Sequence, residues 1–69
     1  MKPASLYVLF SPKFGTLSSS RYDRGSRSWV VSFNNGPQYF RSKSEATRRA
    51  NQLYNFNRDW SCNVVEVRN

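Results

Sequence analysis

Arg21, Arg24 and Arg27 recur at every third position in the run Ser18-Ser19-Ser20-Arg21-Tyr22-Asp23-Arg24-Gly25-Ser26-Arg27. Guanidinium groups grip phosphates and carboxylates through paired hydrogen bonds, and a flexible segment that carries several orders on contact with an anionic partner. The competing reading is a solvated loop that keeps the chain soluble. Lys43, Arg48 and Arg49 form a second positive area on an expected helix, with Glu45 nearby, where an ordinary solvated face competes. Tyr39 and Arg41 share the sheet face turned away from the expected core and resemble a small stacking platform for a single strand. Plain surface exposure accounts for them too, because no RNA-binding signature surrounds them.

Bond-breaking chemistry has little to work with. The chain has no histidine, so the common base for a serine or cysteine nucleophile is missing. Its four acidic residues are scattered, and Gly15, Gly25 and Gly36 are isolated rather than grouped in a phosphate loop. Cys62 is expected as a small buried apolar residue. No catalytic residue, metal site or cofactor is expected. One cysteine excludes a disulfide within the chain and points to a reducing compartment. The only early apolar run, residues 6–10, is too short for a signal peptide or a membrane span, so the expected location is the cytoplasm. Net charge is +7, from eleven Lys and Arg against four Asp and Glu, which favours anionic partners. Without a helix of large apolar face, a membrane is the least favoured of these.

The elements that must position these groups are legible as follows. Leu6-Tyr7-Val8-Leu9-Phe10 reads as a first strand, buried on both faces or central in its sheet. Residues 11–27 read as a long connection, with a mobile basic loop at about 18–27. Ser28-Trp29-Val30-Val31-Ser32-Phe33 reads as a second strand. Asn34-Asn35-Gly36-Pro37 then reads as a four-residue turn into a third strand, Gln38-Tyr39-Phe40-Arg41. That pairing sets Phe33 opposite Gln38 and Val31 opposite Phe40. Trp29, Val31, Phe33 and Phe40 then face the core, and Val30, Ser32, Tyr39 and Arg41 face away.

Ser42-Lys43-Ser44-Glu45 is a capping box that opens a helix. Ala46, Ala50 and Leu53 form its buried stripe, Arg48, Gln52 and Asn55 face solvent, and the helix ends near residue 56. Trp60 is expected as a lid over the helix end. Cys62-Asn63-Val64-Val65-Glu66-Val67 closes the fold as a strand, Val65 and Val67 on one face, Val64 and Glu66 on the other. The whole is one α+β domain over residues 1–69: a three- to four-stranded antiparallel sheet packed by one helix, in the order β-β-β-α-β. Five Phe, four Tyr and two Trp supply the apolar area that so short a chain needs. A monomer is the expectation, with a dimer left open.

Trp29-Val30-Val31, the Phe-x-Ser-x-x-Glu-Ala run at residues 40–46 and Val64-Val65-Glu66-Val67 give the chain a resemblance in architecture. In size and layout, over most of residues 6–68, it is similar to small bacteriophage-encoded regulators and inhibitors of bacterial RNA polymerase. Those are single α+β domains without enzymatic activity. The resemblance implies a non-enzymatic protein that docks on the host transcription machinery through a flexible arm and a charged face, meeting an acidic host surface. The arms would be residues 1–5, with Lys2, and the arginine loop. The contacts would come from Lys2, Arg21, Tyr22, Arg24, Arg27, Arg41, Lys43, Arg48 and Arg49. The rival reading is direct binding of DNA or RNA, the same arginines lying on phosphates. A self-associating structural or accessory protein is the third.

Overall fold

The computed structural model describes residues 5–68. Its elements are β1 (Ser5–Ser11), β2 (Gly15–Asp23), β3 (Ser28–Phe33), α1 (Lys43–Phe56), one 3₁₀ turn (Arg58–Trp60) and β4 (Asn63–Arg68). The strands form one antiparallel sheet in the order β3-β2-β1-β4, and α1 packs across one face. This is the expected α+β domain in the expected β-β-β-α-β order, and β1 takes the expected central place.

The second strand is not the expected one. Residues 18–23 belong to β2 rather than to a loop, and β3 pairs with β2 from Leu17↔Phe33 to Asp23↔Ser28. The basic loop thus shrinks to a turn at residues 24–27. Nor does β3 form a hairpin with residues 38–41. Asn34 adopts a left-handed φ of 61° and turns its side chain back on the start of β2. It accepts from the Thr16 amide (3.2 Å) and donates to the Phe14 carbonyl (2.7 Å). Gly15 makes this possible: its φ is 102°, and a Cβ there would collide with the Asn34 carboxamide. Ser18 Oγ then accepts from the Asn35 amide at 2.6 Å. The turn-rich stretch that reads as a hairpin is therefore a clasp across the β2–β3 base.

Residues 38–40 go elsewhere. β1 and β2 pair only at Phe10↔Thr16 and Ser11↔Gly15, then splay apart. Phe40 exchanges both backbone hydrogen bonds with Tyr7 of β1 (2.8 and 2.9 Å), while the Gln38 amide donates to the Leu17 carbonyl of β2 (2.9 Å). The segment wedges the gap and satisfies backbone groups on both sides.

A bulge sets which way β2 points. Leu17 lies opposite Phe33 and Ser19 opposite Ser32, so Ser18 is an extra residue. One extra residue reverses the alternation that follows it. Ser20 and Tyr22 therefore join Leu17 on the helix side, opposite Val31 and Trp29, and Arg21 turns to the other face.

The buried core is Leu9, Leu17, Phe40, Ala46, Ala50 and Leu53, ringed by Tyr7, Trp29, Val31, Phe33, Trp60, Cys62 and Val64. The expected core face is thus correct even though its strand pairing is not. Two alanines on the buried stripe bring α1 close to the sheet, and Ser42 caps the helix by accepting from the Glu45 amide at 3.2 Å. Helix α1 ends at Phe56, which stacks on Trp60 at 5.7 Å, as a lid over the helix end requires. In β4 it is Val64 that packs on the core. The opposite face of β1 and β4 carries Leu6, Val8, Phe10, Val65 and Val67, and no described element packs across it; Val8 is buried there, while Phe10 is 42% and Val65 43% exposed.

Leu9 is fully buried at the sheet centre, so Leu9→Ala should lower unfolding free energy by about 2–5 kcal/mol in urea titration. Val65→Ala, on the open face, should cost less than about 1 kcal/mol in the same measurement.

Candidate functional site

The β2–β3 hairpin carries its cations away from the core. From Arg21 to Arg27 every residue but Asp23 is exposed, and the domain is elongated, 44 × 23 × 19 Å. The turn is held from within. Asp23 Oδ1 accepts from the Gly25 amide (3.2 Å) and its Oδ2 from Ser26 Oγ (2.8 Å), while Ser26 and Ser28 hydroxyls lie 3.1 Å apart. Arg27 closes the turn in the left-handed region, φ 55°. A left-handed residue near the end of such a loop lets the chain re-enter the opposite strand. The Ser26 hydroxyl, then the Gly25 amide and the Arg21 charge, hold the Asp23 carboxyl below the ordinary aspartate range. Asp23 thus serves as the brace of the turn, leaving Arg24 and Arg27 exposed on it and Arg21 on the outer sheet face.

Tyr22 lies edge-on to Trp29 across the hairpin, ring centroids 5.6 Å apart at 65°, and stays 48% exposed. The next contact inward is Arg49. Its guanidinium sits over the Trp29 ring at 4.9 Å and near Phe40 at 6.0 Å. Nη1 donates to the carbonyl and hydroxyl of Ser20 (3.0 and 2.7 Å), and Nε to Gln52 Oε1 (3.2 Å). Ser20 Oγ in turn donates to Gln38 Oε1 (2.9 Å). This chain of bonds ties helix, hairpin and the residue 38–40 wedge together. Ser20 is two residues from Tyr22 on the same face, about 7 Å along the strand. Hairpin tip, aromatic pair and helix cations therefore follow one another along one side of the domain.

Of the sequence-predicted site residues, the structure brings Tyr22 and Arg49 to this side and leaves Arg24 and Arg27 exposed on the hairpin turn. Arg49 is half-buried and already engaged as a fastener. Arg41 is exposed just before the helix cap, and Lys43 and Arg48 are exposed on α1. Arg21 points to the opposite sheet face. Tyr39 is exposed but lies in the wedge rather than on a sheet platform with Arg41. Lys2 lies outside the described residues. Sequence reasoning misses Gln38, Gln52 and Ser20, which meet only through tertiary contact and carry no local pattern.

Two depressions border these groups. The larger, about 680 Å³, runs along the outer face of α1 past Lys43, Thr47, Asn51 and Asn55 and lies open to solvent. The smaller, about 420 Å³, is cut between α1 and the wedge. Two other cations have partners: Lys13 pairs with Asp59 at 3.4 Å, both well exposed, and Arg58 lies 5.4 Å over Tyr54. Burial pushes the Cys62 thiol up, which keeps it protonated and a poor nucleophile at neutral pH. No group of three His, Cys, Asp or Glu among the described residues is placed to hold a metal ion, and no described helix is long and apolar enough to cross a membrane.

Two tests follow from these contacts. Arg49→Lys keeps the charge but loses the guanidinium–ring contact and the forked bonds, and should lower stability by about 1–3 kcal/mol in urea unfolding. The depressed Asp23 pKa means that its brace is fully in place above the ordinary aspartate range. It is lost as pH falls through and below that range. In an NMR titration the Gly25 amide shift should therefore move with a midpoint below that of an unfolded-peptide aspartate. No protein-family model, curated protein or solved structure matches the chain, so its functional reading rests on the site itself.

Proposed function

We propose that this chain is a non-enzymatic nucleic-acid-binding domain that takes single-stranded DNA or RNA along its hairpin. The observation that carries the reading is the exposed Tyr22, braced on Trp29, between the arginine turn and the cationic half of α1. Backbone-tracking cations beside an aromatic face are what a strand with unstacked bases needs. Arg24 and Arg27 meet phosphates at the turn, a base stacks on Tyr22, and Arg48, Lys43 and Arg41 continue the positive path beyond the Arg49 fastener. Arg21, on the other face, adds to the field that steers the strand. Binding needs no acid, base or nucleophile.

The transcription-machinery reading that the resemblance implies calls on a flexible arm, whereas here the arginines sit on a paired hairpin with a braced turn. It stands as the second reading because of the apolar strip of Phe10 and Val65. A protein partner would cover that strip; a nucleic acid would not.

The test is fluorescence anisotropy with a labelled thymidine oligonucleotide across a salt series. Arg21→Ala, Arg24→Ala and Arg27→Ala together should weaken binding and flatten the slope of log affinity against log salt by about 1.4, the share of two phosphate contacts on a single strand. Tyr22→Ala should weaken it by about tenfold with the salt slope unchanged. Unchanged affinity in both variants would end this reading. Recovery of polymerase subunits from nuclease-treated bacterial lysate by the triple-alanine variant would advance the second.

A further inference from the structure

The groove between α1 and the wedge is lined by Gln38, Phe40, Glu45, Arg48, Arg49 and Gln52. Its polar groups are not arranged at random. Gln38 Oε1 is committed to the Ser20 hydroxyl and Gln52 Oε1 to Arg49 Nε. With both carbonyl ends held, both carboxamides are left with their NH₂ ends to offer. The Arg48 guanidinium adds further donors. Glu45 brings the one carboxylate, and in the helix cap it is the Glu45 backbone amide, not this side chain, that donates to Ser42. Phe40, 8% exposed, supplies an apolar floor.

A ligand that fits has hydrogen-bond acceptors on one edge, a pair of donors on another, and a flat apolar face. A bare phosphate fails, because it offers acceptors only and would set its charge against Glu45. Among the bases, guanine offers two adjacent acceptors, O6 and N7, and a neighbouring donor pair, N1–H and the 2-amino group. Adenine, cytosine and thymine lack that combination. A groove of about 420 Å³ lies within the range of small-ligand sites. We propose that this groove binds an unstacked guanine base, Glu45 accepting from N1–H and the 2-amino group while Arg48 and the two carboxamides donate to O6 and N7. The inference rests on the strand-binding reading above. Gln38 and Arg49 both reach Ser20 of the hairpin, so the groove lies beside the path assigned to the strand.

The test uses labelled thymidine 12-mers that carry one central guanine, adenine, cytosine or hypoxanthine, measured by anisotropy at fixed salt. The protein should prefer guanine by about tenfold. Hypoxanthine, which lacks the 2-amino group, should fall between guanine and the rest. Glu45→Gln and Arg48→Ala should each remove the guanine preference; under Glu45→Gln the affinity for the all-thymidine strand should stay near its original value. Glu45→Gln is isosteric and leaves the cap amide in place, and a circular dichroism melt checks its fold. Equal affinity for all four oligonucleotides would overturn the guanine site and leave backbone binding standing. A guanine preference that survives Glu45→Gln would overturn it as well. Failure to bind any of the strands would overturn both readings together.

Discussion

The guanidinium of Arg49 stands where the three parts of this domain converge, and the arrangement of the rest follows from what it needs. It is half-buried, which costs desolvation unless its donors are taken. The Ser20 carbonyl, the Ser20 hydroxyl and the Gln52 carboxamide take three of its five, and its central carbon lies over the Trp29 ring at 4.9 Å and near the Phe40 ring at 6.0 Å. Each requirement constrains an element. Ser20 faces the helix only because the bulge at Ser18 reverses the alternation of β2. Phe40 reaches the cluster only because the wedge crosses from β2 to β1. Lysine could carry the charge but could not set a planar fork against the rings and onto Ser20. The core of leucines and alanines supplies most of the stability, yet it is non-directional. Arg49 fixes how the hairpin is set against it.

Much of the fold was legible because its signals are local. The Ser42 cap, the Ala46–Ala50–Leu53 stripe and the apolar run of β1 depend on spacing within one element, and each appears where the spacing puts it; of the capping box only the Ser42 half forms, the Glu45 side chain making no bond back to the cap. The hairpin is hard to place from sequence because its signals compete. Asn34-Asn35-Gly36-Pro37 is a stronger turn signal than Arg24-Gly25-Ser26-Arg27, and the serine-rich stretch before Arg21 has weak strand propensity. What decides is tertiary: the Asn34 side chain bonds to residues 14 and 16, and Trp29 and Val31 find Tyr22 and Ser20 opposite them. The core face survived the error because alternation along β3 does not depend on which strand is its neighbour.

The candidate site divides the same way. Arginines at every third position announce a cationic segment, and that much is composition. Which of them share a face is a matter of strand register, and the bulge parts Arg21 from Tyr22. Gln38 and Gln52 carry no signal at all. A glutamine becomes an oriented donor only when something holds its oxygen, and the holders, Ser20 and Arg49, come from distant parts of the chain.

The placement of charge on α1 bears on why the cations are there. A helix gains stability from acidic groups in its first turn and basic groups in its last. Here the first turn has Glu45, but Arg41 and Lys43 flank the cap and Arg48 and Arg49 follow, while the last turn has no basic residue. Stability alone would have put these cations at the other end, where they would also serve solubility equally well. Arg49 is explained by its fastening role. Arg41, Lys43 and Arg48 have no such partner, and instead add their charge to the positive end of the helix, on the side where the hairpin brings Tyr22, Arg24 and Arg27. An anionic strand lying there would turn this unfavourable gathering of charge into binding energy, and release of its counterions would make that gain steeply dependent on salt.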